Sequence, residues 1–176
     1  DGDNINPTNI NRQLIAMHST VGKPKTQILA QRLLDINPRL NIHIKQLYMD
    51  EAQTEILLDE AKYDYVIDAI DTISPKIALL TGCLKRKIKV ISSMGAGGRI
   101  DPTRIAYADI SETYHCALAK AVRKRLKDAG ISKGIKVVFS SEQPDRNAII
   151  RTDEERNKKS TVGTISYLPA IFGCYL

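Results

Sequence analysis

Along this chain the hydrophobic positions change their period several times, and each change marks an element. Asp1 to Gln13 is polar, Asn-rich and carries Pro7, so it reads as a loop. Pro24 suits a first helical position, and Leu29, Leu33 and Ile36 then recur on one face until Asn37-Pro38 ends the run. Ile42 and Ile44 alternate with His43 and Lys45, which predicts a short strand. Residues 51–61 place Ala52, Ile56 and Leu57 on one helical face. Tyr65-Val66-Ile67 predicts a buried strand ending at Asp68 and Asp71. A helix follows from about Pro75, with Ile77, Leu80, Thr81 and Leu84 at helical spacing. Ile88–Ser92 predicts the next strand, ending in Gly95-Ala96-Gly97-Gly98, and Ile105–Ile110 a further one. Leu118, Ala121, Val122 and Leu126 define an amphipathic helix closed by Gly130, and Ile135–Phe139 a final strand. From Gln143 to Lys159 the pattern dissolves into charge, as in an exposed, mobile loop.

Strands alternating with helices of this length imply βαβ units, hence an α/β fold with a largely parallel sheet. The expectation is a Rossmann-like three-layer sandwich in which residues 1–176 form a single domain. In such sheets ligands bind beyond the carboxyl ends of the strands. Loops 1–13, 48–50, 68–74 and 93–99 are therefore expected to converge on the site.

Composition narrows this picture. The chain has 176 residues, 43% hydrophobic and 26% charged, as in an ordinary soluble domain. With no Trp and two Phe, its core is expected to be aliphatic. A net charge of +6 favours a polyanionic partner. Cys83, Cys116 and Cys174 show no short pairing interval, which argues against a disulfide framework and fits a cytoplasmic protein. No apolar run reaches the roughly 18–20 residues of a membrane-spanning helix. The chain opens at Asp1 without Met and stops at Leu176 within an apolar stretch, so it is expected to be truncated at both ends.

The chemistry concentrates near the start. Asp1-Gly2-Asp3 is either a polar turn or the ribose-binding acid of a nucleotide fold, whose glycine-rich turn would fall just before Asp1. Arg12 offers a planar fork of donors for phosphate oxygens, flanked by Asn9 and Gln13. Lys25 adds a cation at a helix amino terminus. Asp71, just past a buried strand, can hold Mg²⁺ against ATP phosphates or cap the following helix.

The run from Asp1 to Gln13 resembles the D-x-D-x-(V/I)-x-x-x-N-x-x-R-Q signature of the ubiquitin-activating enzyme superfamily, which includes ThiF-like bacterial adenylyltransferases. Val21-Gly22-Lys23-Pro24-Lys25 resembles its V-G-x-x-K segment, and Asp68-Ala69-Ile70-Asp71 its strand-ending acidic site. The resemblance implies an adenylation domain lacking its amino-terminal glycine-rich phosphate loop. It implies that Asp1 binds the ATP ribose with Asp3 beside it in the nucleotide site, that Asn9, Arg12 and Lys25 contact phosphates, and that Gln13 lines the pocket. Asp71, with Thr72 beside it, would engage Mg²⁺ and the reacting end of the nucleotide, making Arg12, Lys25 and Asp71 the catalytic set.

A second resemblance is narrower. Gly95-Ala96-Gly97-Gly98-Arg99-Ile100-Asp101-Pro102-Thr103-Arg104-Ile105, Asp109-Ile110-Ser111 and Val138-Phe139-Ser140-Ser141-Glu142 are similar to segments of the tRNA threonylcarbamoyladenosine dehydratases. That branch implies ATP-dependent closure of a threonylcarbamoyl side chain on a tRNA adenosine. Lys120, Arg123, Lys124, Arg125 and Lys127 would then track tRNA phosphates, although a solvated helix face explains them equally. Lys85, Arg86, Lys87 and Lys89 form a second basic cluster. Superfamily relatives imply a homodimer and leave room for a sulfur-transfer partner protein. Cys116 has a neighbouring His115 but no activating pattern, and reads as a packed thiol rather than a nucleophile. The rival readings are a sulfur-carrier-protein adenylyltransferase of the molybdopterin or thiamine type, a non-catalytic nucleotide- or RNA-binding module, and an NAD-dependent oxidoreductase. The first is disfavoured by the missing C-x-x-C zinc pair, and the last by the phosphate-facing Arg12 and Lys25.

Overall fold

In a computed structural model, which describes residues 1–151 and 160–176, the chain divides into two compact units, residues 1–49 and 50–176. In the first, the amino-terminal loop closes on the start of a helix. Asn4 bridges Pro24, Ile5 N–H donates to Lys23 O at 2.9 Å, and Gly22 N–H returns to Ile5 O at 2.8 Å. Gly22 turns at φ +83°, where a side chain would be strained. Helix α1 spans Lys25–Ile36, so Pro24 is its extended N-cap rather than its first helical residue. It stops at Asn37 because Pro38 disfavours the helical conformation of the residue before it. Leu29, Leu33 and Ile36 share a face as their spacing predicts, yet all three stay exposed, and Ala30 is the buried residue. The strand expected over Ile42–Ile44 is not formed. Alternation creates a strand only when another segment accepts its ladder, and among the described residues none pairs with it.

The second unit begins with α2, Glu51–Asp59, capped by the Asp50 carboxylate, which accepts from Gln53 N–H at 2.7 Å. Its buried residues are Thr54 and Leu58, not the expected face of Ala52, Ile56 and Leu57. Two neighbours on the next helix set that rotation. A Cβ on Gly82 would lie 2.6 Å from Leu58 Cδ1, so the glycine is the notch that admits Leu58. Arg86 reaches Glu55 at 2.6 Å and Asp59 at 2.8 Å, fixing the polar edge of α2. Strand β1, Tyr65–Asp68, forms where expected, but it lies at an edge, with Tyr65 and Ile67 exposed. Helix α3, Ile73–Lys85, then leads to β2, Lys89–Ser93. Pro75 sits in the first turn of α3, where its missing N–H breaks no helical bond.

Strand β3, Ile105–Asp109, precedes α4, Ala117–Asp128, and β4, Lys136–Ser140. The sheet order is β1-β2-β4-β3, with β1, β2 and β4 parallel and β3 antiparallel to β4. Helix α4 ends as Gly130 predicts: Gly130 at φ +79° donates to Lys127 O and Ile131 N–H to Leu126 O, a Schellman closure. The charged stretch expected to be a loop contains β5, Ile149–Arg151, paired antiparallel with β6, Ser160–Val162. Residues 152–159 of that expected loop lie outside the described residues. The chain finishes in α5, Tyr167–Tyr175.

The pleat divides the core. Val90, Val137 and Phe139 face α2, α3 and α4, packing with Leu80, Val122 and Leu126. Ile91, Val138 and Ile105 turn to the other face and meet Leu168 and Phe172 of α5. These are the three layers of the expected sandwich. Among the described residues no helix is long and apolar enough to cross a membrane. Because Leu80 is fully buried in the larger cluster, Leu80→Ala is expected to cost about 2–5 kcal/mol in denaturant unfolding, with an unchanged m-value.

Candidate active site

The first unit gathers part of the expected nucleotide site. The Asp1 carboxylate accepts Asp3 N–H at 2.9 Å, which fixes the turn, and the Asp3 carboxylate pairs with Lys25 Nζ at 2.9 Å. Asp1, Gln13 and Lys25 line a cavity of about 340 Å³ with Leu14, Ile15, Thr26 and Leu29. Its walls suit a nucleoside: apolar side chains for a base, an acid for sugar hydroxyls and an amine for phosphate. Thr26 Oγ1 in that lining is buried without a hydrogen-bond partner. Arg12 and Asn9 do not line the cavity. Arg12 Nη1 donates to Thr8 O and Asn11 Oδ1, both at 2.9 Å. Asn9 is buried, and its side-chain oxygen accepts Asn6 N–H at 3.0 Å, so it shapes the loop.

In the second unit, the acids after β1 separate by role. Asp68 turns inward and is fully buried. Its oxygens accept Ile70 N–H at 3.0 Å, the Ser92 hydroxyl at 2.6 Å, and the ammonium of Lys76 at 2.7 Å. Asp71 is exposed, and Thr72 occupies the N-cap position of α3. Among the described residues no group of three or more His, Cys, Asp or Glu could hold a metal. A divalent cation here would need nucleotide phosphates to complete its shell, the habit of Mg²⁺.

Sequence reasoning missed two buried cations. Lys76 has no exposed surface and donates to Ile70 O at 2.8 Å and Ser93 O at 2.9 Å as well as to Asp68. Burial pushes its ammonium below the usual lysine range, while Asp68 opposes that shift. The available signal was a lysine inside an apolar helical run, five residues after Asp71. Arg99 is also buried, and its guanidinium donates to the carbonyls of Gly95 at 2.7 Å, Gly97 at 3.2 Å, His115 at 2.5 Å and Glu142 at 3.1 Å. The Glu142 carboxylate returns to the N–H groups of Ile100 and Asp101. Together these bonds fix the glycine loop after β2, on which Val162 of β6 rests so closely that a Cβ on Gly97 would lie 2.9 Å away.

On α4 the basic residues divide. Lys120, Lys124, Arg125 and Lys127 are exposed, whereas Arg123 donates to the carbonyl and hydroxyl of Thr113. Lys120, Arg123, Lys124 and Lys127 share one flank at helical spacing, and Arg125 lies round the helix from them. Lys120 and Arg123 border a cleft of about 350 Å³ that also includes His115, Cys116 and Gln143. Cys116 is buried and caps α4, its sulfur accepting Ala119 N–H at 3.4 Å. The second cluster is weakened by Arg86, whose charge is engaged by α2.

A model of the ThiF family matches residues 1–176. The chain belongs to the ThiF family. Within it, the chain is 42% identical to the tRNA threonylcarbamoyladenosine dehydratase of Bacillus subtilis, over 98% of this chain and 70% of that protein. The crystal structure of the Escherichia coli tRNA N6-threonylcarbamoyladenosine dehydratase in complex with ATP superimposes with a TM-score of 0.87 at 33% identity, covering 99% of this chain and 69% of that one. The molybdopterin-synthase adenylyltransferase of Escherichia coli is 30% identical over only 66% of this chain. In this ThiF-family protein Cys174 is exposed, while Cys83 is buried and its thiol is pushed up to about 11, chiefly by burial. At pH 8 a thiol reagent is therefore expected to modify Cys174 rapidly and Cys83 slowly, with Cys174→Ser removing the fast phase.

Proposed function

We propose that this protein is an ATP-dependent dehydratase that adenylates the carboxylate of threonylcarbamoyladenosine in tRNA and cyclises it. The observation that carries the reading is the 42% identity to a named dehydratase across 98% of the chain. The rival sulfur-carrier reading has the weaker, shorter match. Residues 1–176 act as one adenylation domain, working in the cytoplasm.

A carboxylate is a poor electrophile until its oxygen becomes a good leaving group. Attack of the substrate carboxylate on the α-phosphate of ATP expels pyrophosphate and leaves an acyl adenylate. An intramolecular nucleophile of the threonylcarbamoyl group then attacks the acyl carbon and AMP departs, so one water is lost overall. Asp1 holds the ribose with Asp3 beside it in the nucleotide site, Gln13 lines its pocket, and Asn9, Arg12 and Lys25 contact phosphates. Lys25 enters this role from its pair with Asp3, and Arg12 by exchanging two neutral acceptors for phosphate oxygens. Asp71, with Thr72 beside it, holds Mg²⁺, which supplies neutralisation of the charge that develops on the phosphates. The flank of Lys120, Arg123, Lys124 and Lys127 lies along the tRNA backbone with Arg125 at its margin, and the protein works as a homodimer.

The test combines the full-length protein, ATP, Mg²⁺ and tRNA bearing threonylcarbamoyladenosine, followed by mass spectrometry of the nucleosides under mild conditions. Loss of one water with stoichiometric AMP is the expected result; an unchanged nucleoside ends the reading. Arg12→Ala and Asp71→Ala are each expected to lower turnover by about 10²–10³ with an unchanged melting temperature. Reversing Lys120, Lys124 and Lys127 to Glu is expected to raise the KM for tRNA and flatten its salt dependence, leaving the KM for ATP in place.

A further inference from the structure

Lys76 lies where the carboxyl ends of two parallel strands meet. Its ammonium has three hydrogens, and the fold supplies three acceptors: Asp68 Oδ2 at 2.7 Å, Ile70 O at 2.8 Å and Ser93 O at 2.9 Å. Ile70 immediately precedes Asp71. Ser93 ends β2 and opens the loop that carries Gly95 to Gly98. One sealed cation thus ties the start of the acidic loop to the start of the glycine loop. Asp68 completes the tie from the other side, accepting both Ile70 N–H and the Ser92 hydroxyl. Every partner is internal, and Asp68, Lys76 and Ser92 have no exposed surface, so the network touches no substrate.

We propose that Lys76 is a positioning residue for adenylation, holding the Ile70–Asp71 backbone against the end of β2 so that the Asp71 carboxylate stands ready for the metal–nucleotide complex. The inference rests on the adenylation reading, because it assigns Lys76 an effect through Asp71. Hydrophobic packing alone would not need this arrangement: a leucine at position 76 would fill the volume, but it would leave both loop carbonyls and the Asp68 carboxylate unmatched. The cation sits where two loops must keep a fixed separation and one of them, Gly95 to Gly98, is mostly glycine.

The experiment uses the full-length protein and the neutral pair Asp68→Asn/Lys76→Met, which keeps the volume and leaves no lone buried charge. Circular dichroism and melting establish folding. The folded pair variant is expected to lose about a hundredfold in kcat, as a displacement of the order of an ångström can cause, with the KM for tRNA unchanged. In an Asp71→Ala background the same pair is expected to produce no further loss, because it acts through that carboxylate. Lys76→Arg, which keeps a cation and donors for both carbonyls, is expected to retain turnover within about tenfold. Wild-type kcat in the folded pair variant, a loss that multiplies onto Asp71→Ala, or a folded and inactive Lys76→Arg would each overturn the proposal. Amide exchange over residues 69–72 and 94–98 needs no turnover and is expected to quicken at least about tenfold in the pair variant. If the wild-type protein fails to dehydrate the nucleoside, the adenylation reading falls by itself; unchanged protection of both segments would then overturn the tether separately.

Discussion

An ammonium group without water keeps its charge only if each of its hydrogens finds an acceptor and a counter-charge stands close by. Lys76 meets both conditions at the point where β1 and β2 deliver their loops. Removing two ions from water costs several kcal/mol each, and a net gain arises only when the geometry is complete. Here no donor of Lys76 is left over, and the Asp68 oxygens have their own further partners in Ile70 N–H and Ser92. Such a closed network behaves as a unit: removing one member exposes the whole desolvation penalty of the others. The parallel register of Asp68 with Ser92 is what brings that hydroxyl to that carboxylate. Strand pairing, the crossover helix α3 and the two loops are therefore one arrangement.

Much of the fold could be read from periodicity because most of its elements are paid for locally. The β1-α3-β2 crossover and the α4-β4 pair follow the switch between alternating and helical spacing, and Gly130 closes α4 by a conformation only glycine adopts cheaply. Errors occur where a distant residue decides. The face of α2 is chosen by the Gly82 notch and by Arg86, neither of which leaves a trace in residues 51–61. Ile42 to Ile44 have the alternation of a strand and lack a partner among the described residues. β5 and β6 are three residues each and are separated by a charged stretch that dominates any local average. The apolar run at the end of the chain has no clear period in the sequence; it forms α5 and supplies the second face of the core.

The candidate site was legible to the extent that motif spacing carries it. Asp1, Gln13 and Lys25 do line one cavity, because the Asn4–Pro24 bridge brings the start of α1 back to the opening turn. Asn9 shows how far spacing reaches: its side-chain oxygen is engaged within the loop, a function that the same residue type at the same position serves equally well. Lys76 and Arg99 were illegible for a different reason. Among the described residues Arg99 bonds only backbone carbonyls and Lys76 bonds two of them besides Asp68, and because every residue has a carbonyl, no residue pattern announces those contacts. Only their placement beside an acidic strand end and within a glycine run hinted at a structural charge.

That observation also changes what the net charge of +6 means. A basic sequence suggests a polyanion-binding surface, but Lys76 and Arg99 are sealed inside, Arg86 is held between two carboxylates, and Arg123 is directed to Thr113. Lys76 and Arg86 are offset by carboxylates and add little to a field felt by an approaching phosphate, whereas Arg99 and Arg123 keep their charge beside neutral oxygens. Lys120, Lys124 and Lys127 emerge from one flank of α4 at helical spacing, next to a cleft. Attraction to a nucleic acid depends on cations that can shed their counter-ions together along a line, not on the total. A short exposed row on a rigid helix therefore presents more charge to one approaching strand than the same number of charges scattered over the surface, and α4 carries such a row.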